Sequence, residues 1–390
     1  MAHASLSPLP LAQKTILIVD DTPINLGVIS GALKDSYKTK VATNGEKALA
    51  IASGDEKPDL ILLDVMMPEM DGYEVCRRLK ANPDTQNIPV IFLTGQTGTE
   101  DETKGFDVGA VDYIHKPFSE AVVKARVRTH LMLRDAHDQI ARQLVAINIE
   151  LEMARQIQLS ILPRDTPKLA GLDIVANYLP MTSVAGDFYD FIIVDEKRVG
   201  ILIADVSGHG LPSALIASML QVALKGQATH AADPARVLTG LNDALCGKFE
   251  HNFVTAAYVF VDLEKKSLTY AGAGHPPLLF WSESAGKVSE VLENGLFLGQ
   301  FPEATYQSLR LPVAVGDRGV LFTDGVLETK NAAEEEFGAE RFKGFMKSNN
   351  GLPVDRFAEG LLDELSRFSG QPRGQGQQDD ITVLTFDFKS

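Results

Sequence analysis

Positive charge, cysteine and long apolar runs are what this chain of 390 residues has little of. Lys and Arg number 37 against 52 Asp and Glu, which leaves a net charge of −15. Nonspecific nucleic-acid binding draws its affinity from Lys and Arg neutralising phosphates, so no nucleic-acid partner is expected. Cys76 and Cys246 are the two cysteines, they fall in different predicted domains, and neither sits in a CxxC or Cys/His pairing. That excludes a disulfide framework and a zinc site, and leaves two buried thiols. No stretch of about 18 uninterrupted apolar residues occurs, so no membrane partner is expected. The opening MAHASLSPLPLAQK has no basic segment followed by a long apolar core, which points to a cytoplasmic protein. The length exceeds a usual single domain, and 45% hydrophobic residues allow two domains to bury a core each.

The first part alternates strand-like and helix-like segments. TILIVDD, DLILLDVMMP, IPVIFLTG and VDYIHKPF read as strands, with GYEVCRRLKA as a helix between two of them. This alternation predicts a doubly wound parallel sheet, in which ligands gather at the carboxyl ends of the strands. Asp20, Asp21, Asp64, Thr94 and Lys116 all fall there. Together they permit acyl-phosphate chemistry: Asp64 as a carboxylate nucleophile, Asp20 and Asp21 holding Mg²⁺, Lys116 countering phosphoryl charge and Thr94 donating a hydrogen bond. On this ordered set, residues 15–130 resemble a two-component receiver domain with a five-stranded sheet. The resemblance implies phosphorylation of Asp64, a Mg²⁺ site shared by Asp20, Asp21 and Asp64, and a switch aromatic best matched by Tyr113. It also implies a sensor histidine kinase or phosphotransfer protein as partner.

From about 119 to 162 there is no glycine, and no proline until Pro163, which predicts one long helix. Leu133, Ile140, Leu144, Ile147, Leu151, Ala154 and Ile161 follow steps of three and four, interrupted by His137 and Gln158. That favours a coiled-coil-like linker over residues 131–165 and a homodimer; the competing reading is an amphipathic helix packed on its own domain. With no carboxylate cluster apparent near them, His130 and His137 read as solvated or seam residues.

Residues 166–390 change character, with LDIVANYL, RVGILIADV, FVTAAYVFVDL, SLTYAGAG, GVLFTDG and DITVLTFDF as strands. Few strand-helix-strand alternations occur, so antiparallel sheets with helices on their outer faces are expected. Four aspartate-bearing motifs, GDFYD, ADVSGHG, TDG and DDIT, lie at strand ends or turns. Converging carboxylates repel unless a hard divalent cation neutralises them, and Mg²⁺ or Mn²⁺ suits such oxygen donors. On these motifs, with the lead-in LEMARQIQLSILP and the run AGAGHPPLL, the segment resembles the metal-dependent PPM phosphatases of bacterial sporulation and stress response. The resemblance implies an α+β fold, an antiparallel β-sandwich flanked by helices. It makes Asp187, Asp205, Asp324 and Asp379 catalytic metal ligands, with the Val206 carbonyl completing the set for two Mn²⁺ or Mg²⁺. Asp380 is the alternative to Asp379 should the register differ by one, and Asp190 would serve outside the ligands. The cations would lower the pKa of a bridging water, so that no protein nucleophile is needed. His209 would be either a general acid or a loop-ordering residue, and His275, followed by two prolines, is expected to be structural. QPRGQGQQ lacks phosphate-loop order and reads as a flexible loop.

The expectation is a response regulator whose receiver controls a metal-dependent protein serine/threonine phosphatase. By family resemblance its substrate is a phosphoserine protein, an anti-sigma-factor antagonist. The competing reading is a noncatalytic adaptor that binds a sigma factor or anti-sigma regulator through a phosphatase-like domain. Retention of four mutually repelling carboxylates favours the enzyme.

Overall fold

Short runs of Val, Ile and Leu flanked by charged turns become the strands of the N-terminal sheet. This computed structural model describes residues 14–95, 99–117, 119–374 and 377–390. The opening segment up to residue 13 and residues 375–376 of the Gln/Gly-rich run lie outside the described residues, as does residue 118. The chain divides into two units, one up to Ala146 and one from Ile147.

The first unit runs β1 (Thr15–Val19), α1 (Pro23–Leu33), β2 (Lys38–Ala42), α2 (Gly45–Ala52) and β3 (Leu60–Asp64). It continues through α3 (Gly72–Ala81), β4 (Val90–Thr94), α4 (Thr99–Asp107), β5 (Asp112–His115) and α5 (Glu120–Ile161). The strands pair in parallel in the order β2-β1-β3-β4-β5, which confirms the doubly wound sheet. Alternate residues of one strand serve opposite cores. Ile16 and Ile18 pack with Leu26, Ile29, Val123 and Val127, whereas Leu17 and Val19 pack with Ala48, Val75 and Leu79. Burial on both faces is why these strands read as continuous apolar runs rather than alternating ones. Cys76 joins the second of these cores, and burial pushes its thiol up to about 11. Cys246 is only half-buried, so the expectation of two buried thiols holds for one of them.

Helix α5 has 42 residues, as the absence of glycine and proline implied. Its first turns are core, with Val123, Val127 and Leu131 buried. Further on, the seam positions Leu133, Ile140, Leu144 and Ile147 are between 51% and 61% exposed, whereas Leu151, Ala154 and Ile161 are half-buried. Two readings on this helix are corrected. His130 is not solvated: its Nε2 lies 2.8 Å from Asp112, which also takes Arg126 at 2.8 Å. Gln158 is not a seam interruption, because it is 6% exposed and bonded to the backbone of Ala185.

The second unit runs β6 (Leu172–Leu179), β7 (Phe188–Asp195), β8 (Arg198–Val206), α6 (Leu211–Gly226), α7 (Pro234–Leu245), β9 (Val254–Asp262) and β10 (Ser267–Ala273). Then follow β11 (Leu278–Ser282), β12 (Lys287–Val291), β13 (Asn294–Gly295), β14 (Leu309–Pro312) and β15 (Arg318–Phe322). Helices α8 (Gly325–Glu328), α9 (Gly338–Ser348) and α10 (Val354–Ser369) precede the last strand, β16 (Ile381–Phe388). One sheet has the order β13-β10-β9-β8-β7 with β14 beside β10, and the other β12-β11-β15-β16-β6. Among the described residues the strand ladders of both sheets are antiparallel apart from the two-residue contact of β13 with β10, and an isolated parallel bridge joins Ala256 to Gly274.

A single core draws on both sheets, with Ile201, Ile203 and Tyr258 from one and Leu321, Leu384 and Phe386 from the other. The odd positions Val383 and Ile381 turn outward to meet Phe342, Phe357 and Leu361 of α9 and α10. This period-two division makes the sandwich and seats its helical cover. Truncating a fully buried ring such as Phe386 would cost about 3–5 kcal/mol. The GDFYD motif leads into strand β7, FYDFIIVD, which was not expected as a strand; its last residues Ile193, Val194 and Asp195 are exposed on this edge of the sheet.

Candidate functional site

Parallel pairing puts the ends of β1, β3, β4 and β5 along one edge, and there the five receiver residues meet. The carboxylates of Asp20, Asp21 and Asp64 each offer an oxygen within 4.8 Å of the others. Asp20 is fully buried and accepts from Thr22 N at 2.9 Å and Asn25 Nδ2 at 3.0 Å. Lys116 Nζ lies 2.8 Å from Asp20 Oδ2 and 2.9 Å from Asp64 Oδ2. Burial raises the Asp64 carboxyl above its ordinary range, and the hydrogen bond and charge of Lys116 oppose that rise. Burial alone would lower Lys116, but its bonds to the two aspartates outweigh it and hold the ammonium above its usual value. Gly72 is required here: a Cβ at that position would lie 2.2 Å from the Asp64 carbonyl. Thr94 is buried at the end of β4, and its carbonyl accepts from Lys116 N at 2.7 Å. Tyr113, half-buried on β5, stands edge-on to Phe106 and His115.

In the second unit antiparallel pairing does the gathering, because the start of one strand lies beside the end of its partner. Phe188 pairs with Ala204, which sets Asp187 opposite Asp205. Phe322 pairs with Val383, which sets Thr323 against Thr382 and brings Asp324 to the Asp379–Asp380 turn. The two sheets are tied at this point. Asp187 Oδ2 accepts from Thr323 Oγ1 at 2.8 Å and from Thr382 Oγ1 at 2.5 Å. Two glycines allow the close approach. A Cβ on Gly186 would lie 2.6 Å from the Val206 carbonyl, and one on Gly325 would lie 2.1 Å from the Asp380 carbonyl. Asp380 is occupied with the backbone, accepting from Met181 N and Gly186 N at 2.7 Å each. Asp379 accepts from Asp380 N at 2.7 Å and directs its charge toward Asp205 and Asp324.

These carboxylates raise one another. Asp187 is held well above the ordinary range by burial and then by the charge of Asp205, against the two threonine hydroxyls. Asp205 is pushed up to about 7 by burial and by the charges of Asp324, Asp379, Asp380 and Glu328. Asp324 is raised by burial and by Asp379. Among the described residues, no Lys or Arg forms an ion pair with any of these aspartates. Hard oxygen donors, mutual repulsion and no internal counter-charge are what a divalent-cation site requires, so the residues fit such ions.

The other candidates divide. Asp190 is raised by burial, against a hydrogen bond from its neighbour Phe191 N and the charge of Lys225 on α6. His275 is buried, with Nδ1 2.9 Å from Thr255 Oγ1 and its carbonyl taking Asn294 Nδ2 at 2.9 Å. Burial lowers it to about 3, which leaves it neutral and structural. His209 is exposed on a turn between Gly208 and Gly210, whose φ values of 87° and 83° only glycine adopts readily. Sequence reasoning missed Thr323, Thr382, Glu328 and Gln158. Thr323 adjoins Asp324, Thr382 stands two residues after Asp380, and Glu328 stands four residues after Asp324 on one helical turn, so spacing carried a signal for three of the four.

Comparison with known proteins agrees with this architecture. The chain belongs to the Stage II sporulation protein E (SpoIIE) family, whose model matches residues 195–389, half of the chain, and a response regulator receiver domain matches residues 16–128. Phosphoserine phosphatase RsbP of Bacillus subtilis is 33% identical over 245 residues, 62% of this chain and 58% of that protein. Phosphoserine phosphatase RsbU of the same organism is 33% identical over 185 residues, 47% of this chain and 55% of that protein. A probable cyclic di-GMP phosphodiesterase of Vibrio cholerae is 49% identical over 144 residues, 37% of this chain and 32% of that protein. The chain thus spans between a third and three fifths of these relatives. The SiaA-PP2C domain of Pseudomonas aeruginosa superposes with a TM-score of 0.57 at 28% identity, covering 64% of this chain and all of that domain. A receiver is therefore followed by a PPM-type phosphatase domain.

Proposed function

We propose that this chain is a response regulator in which phosphorylation of Asp64 controls a metal-dependent protein serine/threonine phosphatase. The observation that carries the proposal is the meeting of Asp187, Asp205, Asp324 and Asp379 at the joined ends of two sheets, where among the described residues no Lys or Arg pairs with them. These four residues and the Val206 carbonyl would hold two Mn²⁺ or Mg²⁺. When bound, the cations supply Lewis acidity and an acidic water for phosphomonoester hydrolysis. Asp205, which feels the charge of Asp324, Asp379 and Asp380, is the central donor. Asp380, engaged by two backbone N–H groups, orders the loop before Asp187 rather than replacing Asp379. His209, exposed four residues after Asp205, is in this proposal either the acid toward the leaving serine oxygen or an ordering residue of its glycine-flanked turn.

In the receiver, Asp20, Asp21 and Asp64 would hold Mg²⁺, with Lys116 and Thr94 receiving the phosphoryl group and Tyr113 reporting it. A sensor histidine kinase or phosphotransfer protein would supply that group. The two relatives named phosphoserine phosphatases support a phosphoserine protein as substrate, an anti-sigma-factor antagonist in this proposal. The uncovered residues Leu133, Ile140, Leu144 and Ile147 support a homodimer through α5, whose geometry would gate the phosphatase in a cytoplasmic protein. The competing adaptor reading gives no physical reason to retain the repelling carboxylates.

The test is Mn²⁺-dependent hydrolysis of a phosphoserine peptide by the full chain, with Asp205→Asn as control. Activity that the substitution abolishes supports the enzyme. Equal turnover by both proteins, or none by either with a beryllofluoride phosphate mimic present, favours the adaptor. Gating fails if the mimic changes neither association state nor turnover.

A further inference from the structure

The segment from Ala185 to Asp187 is fixed at three successive positions by different groups. Asp187 is held through its carboxylate by Thr323 and Thr382, and Gly186 through its N–H by Asp380. Those partners all belong to the strand-end motifs. Ala185 differs, because both of its backbone polar groups are taken by one side chain of α5. Gln158 Nε2 donates to Ala185 O at 2.6 Å, and Ala185 N donates to Gln158 Oε1 at 3.0 Å. Gln158 is 6% exposed and Ala185 is fully buried, so each bond lost leaves a buried polar group without a partner. A primary amide presents donor and acceptor side by side, as a neighbouring β-strand does, and here it completes the pairing of a residue that lies just outside β7.

We infer that Gln158 is a positioning residue for the metal-binding loop. By closing the amide pair with Ala185 it sets the backbone of Gly186, which lies against the Val206 carbonyl, and so directs Asp187 and Val206 toward the cation site. The inference rests on the phosphatase reading of the aspartate cluster. It gives a buried glutamine in an otherwise largely exposed stretch of helix a reason to be there. Gln221 provides an internal comparison, since its Nε2 donates to Ile161 O at 2.6 Å and holds the same end of α5, with its bond going to the helix rather than to Ala185.

The experiment uses the full chain. Gln158→Leu keeps the volume and removes both bonds; it is expected to raise the Mn²⁺ concentration for half-maximal aryl phosphate hydrolysis about tenfold, with KM little changed. In metal-free protein it is expected to speed amide exchange at residues 184–187 severalfold. Gln158→Glu, which keeps only the acceptor, should fall between, and Gln221→Leu should match wild type on both readouts. Wild-type Mn²⁺ dependence and exchange in Gln158→Leu would overturn the inference. Equal losses in Gln158→Leu and Gln221→Leu would also overturn it, by assigning the effect to helix attachment. If Asp205→Asn hydrolyses as well as wild type, the phosphatase reading itself fails; amide exchange, which needs no turnover, tells that failure from the first.

Discussion

In the receiver, one ammonium lies 2.8 Å from Asp20 and 2.9 Å from Asp64. In the phosphatase unit, Asp187, Asp205, Asp324 and Asp379 face one another, and among the described residues no lysine or arginine pairs with them. Both sites concentrate negative charge at strand ends, yet their unmodified states differ. Lys116 places a counter-charge between Asp20 and Asp64 before any phosphoryl group or cation arrives, which suits a site that must wait for a signal. The phosphatase acids can lower their repulsion only by taking up protons or divalent cations, which suits a site whose cations do the chemistry. Asp205 is pushed up to about 7 by burial first and then by its acidic neighbours.

Neutralising one charge in each site breaks the comparison most sharply. Asp205→Asn is expected to lower Mn²⁺-dependent turnover at least about a hundredfold, while leaving or raising the melting temperature in EDTA, because it removes repulsion. Lys116→Met should act oppositely on stability. It leaves Asp20 and Asp64 without their counter-charge and should cost roughly 1–3 kcal/mol in thermal unfolding, less than a fully buried pair because the lysine is a quarter exposed. If both substitutions shift the melting temperature alike, the contrast is wrong.

Acid dependence gives the next effect. The folded value of Asp205 lies above the unfolded carboxylate value, so the metal-free fold takes up a proton. That stabilisation is complete below about pH 4 and is lost as pH rises to about 7. The melting temperature in EDTA should therefore fall across this window, and the gain on adding Mn²⁺ should grow. A flat profile in EDTA would remove the repulsion argument. The smallest effect belongs to Thr382→Val, which deletes one hydroxyl bond to Asp187 and should weaken Mn²⁺ about tenfold in a titration of activity.

Legibility followed the range of the interactions. GYEVCRRLKA, LDIVANYL and RVGILIADV coincide with α3, β6 and β8, because apolar spacing and the flanking breakers are local signals. Helix α5 was legible from the absence of glycine and proline, but the roles of its residues were not. His130 and Gln158 looked like seam or solvent positions because Asp112 and Ala185, which bind them, are distant in the chain. Strand β7 was hidden by its edge position, which leaves Ile193, Val194 and Asp195 exposed and breaks the apolar pattern.

The sequence by itself determined that two acid-rich sites exist, that one follows parallel strands and the other antiparallel ones, and that a long helix separates them. Those properties rest on residue type and local period. Tertiary structure alone decided which carboxylates share a field, that Thr323 and Thr382 join the sheets at Asp187, and that Gln158 is tied to the same loop. Such contacts depend on strand register and on how closely two backbones approach. Glycine at 186 and 325 permits that approach, but no local pattern says what it will meet.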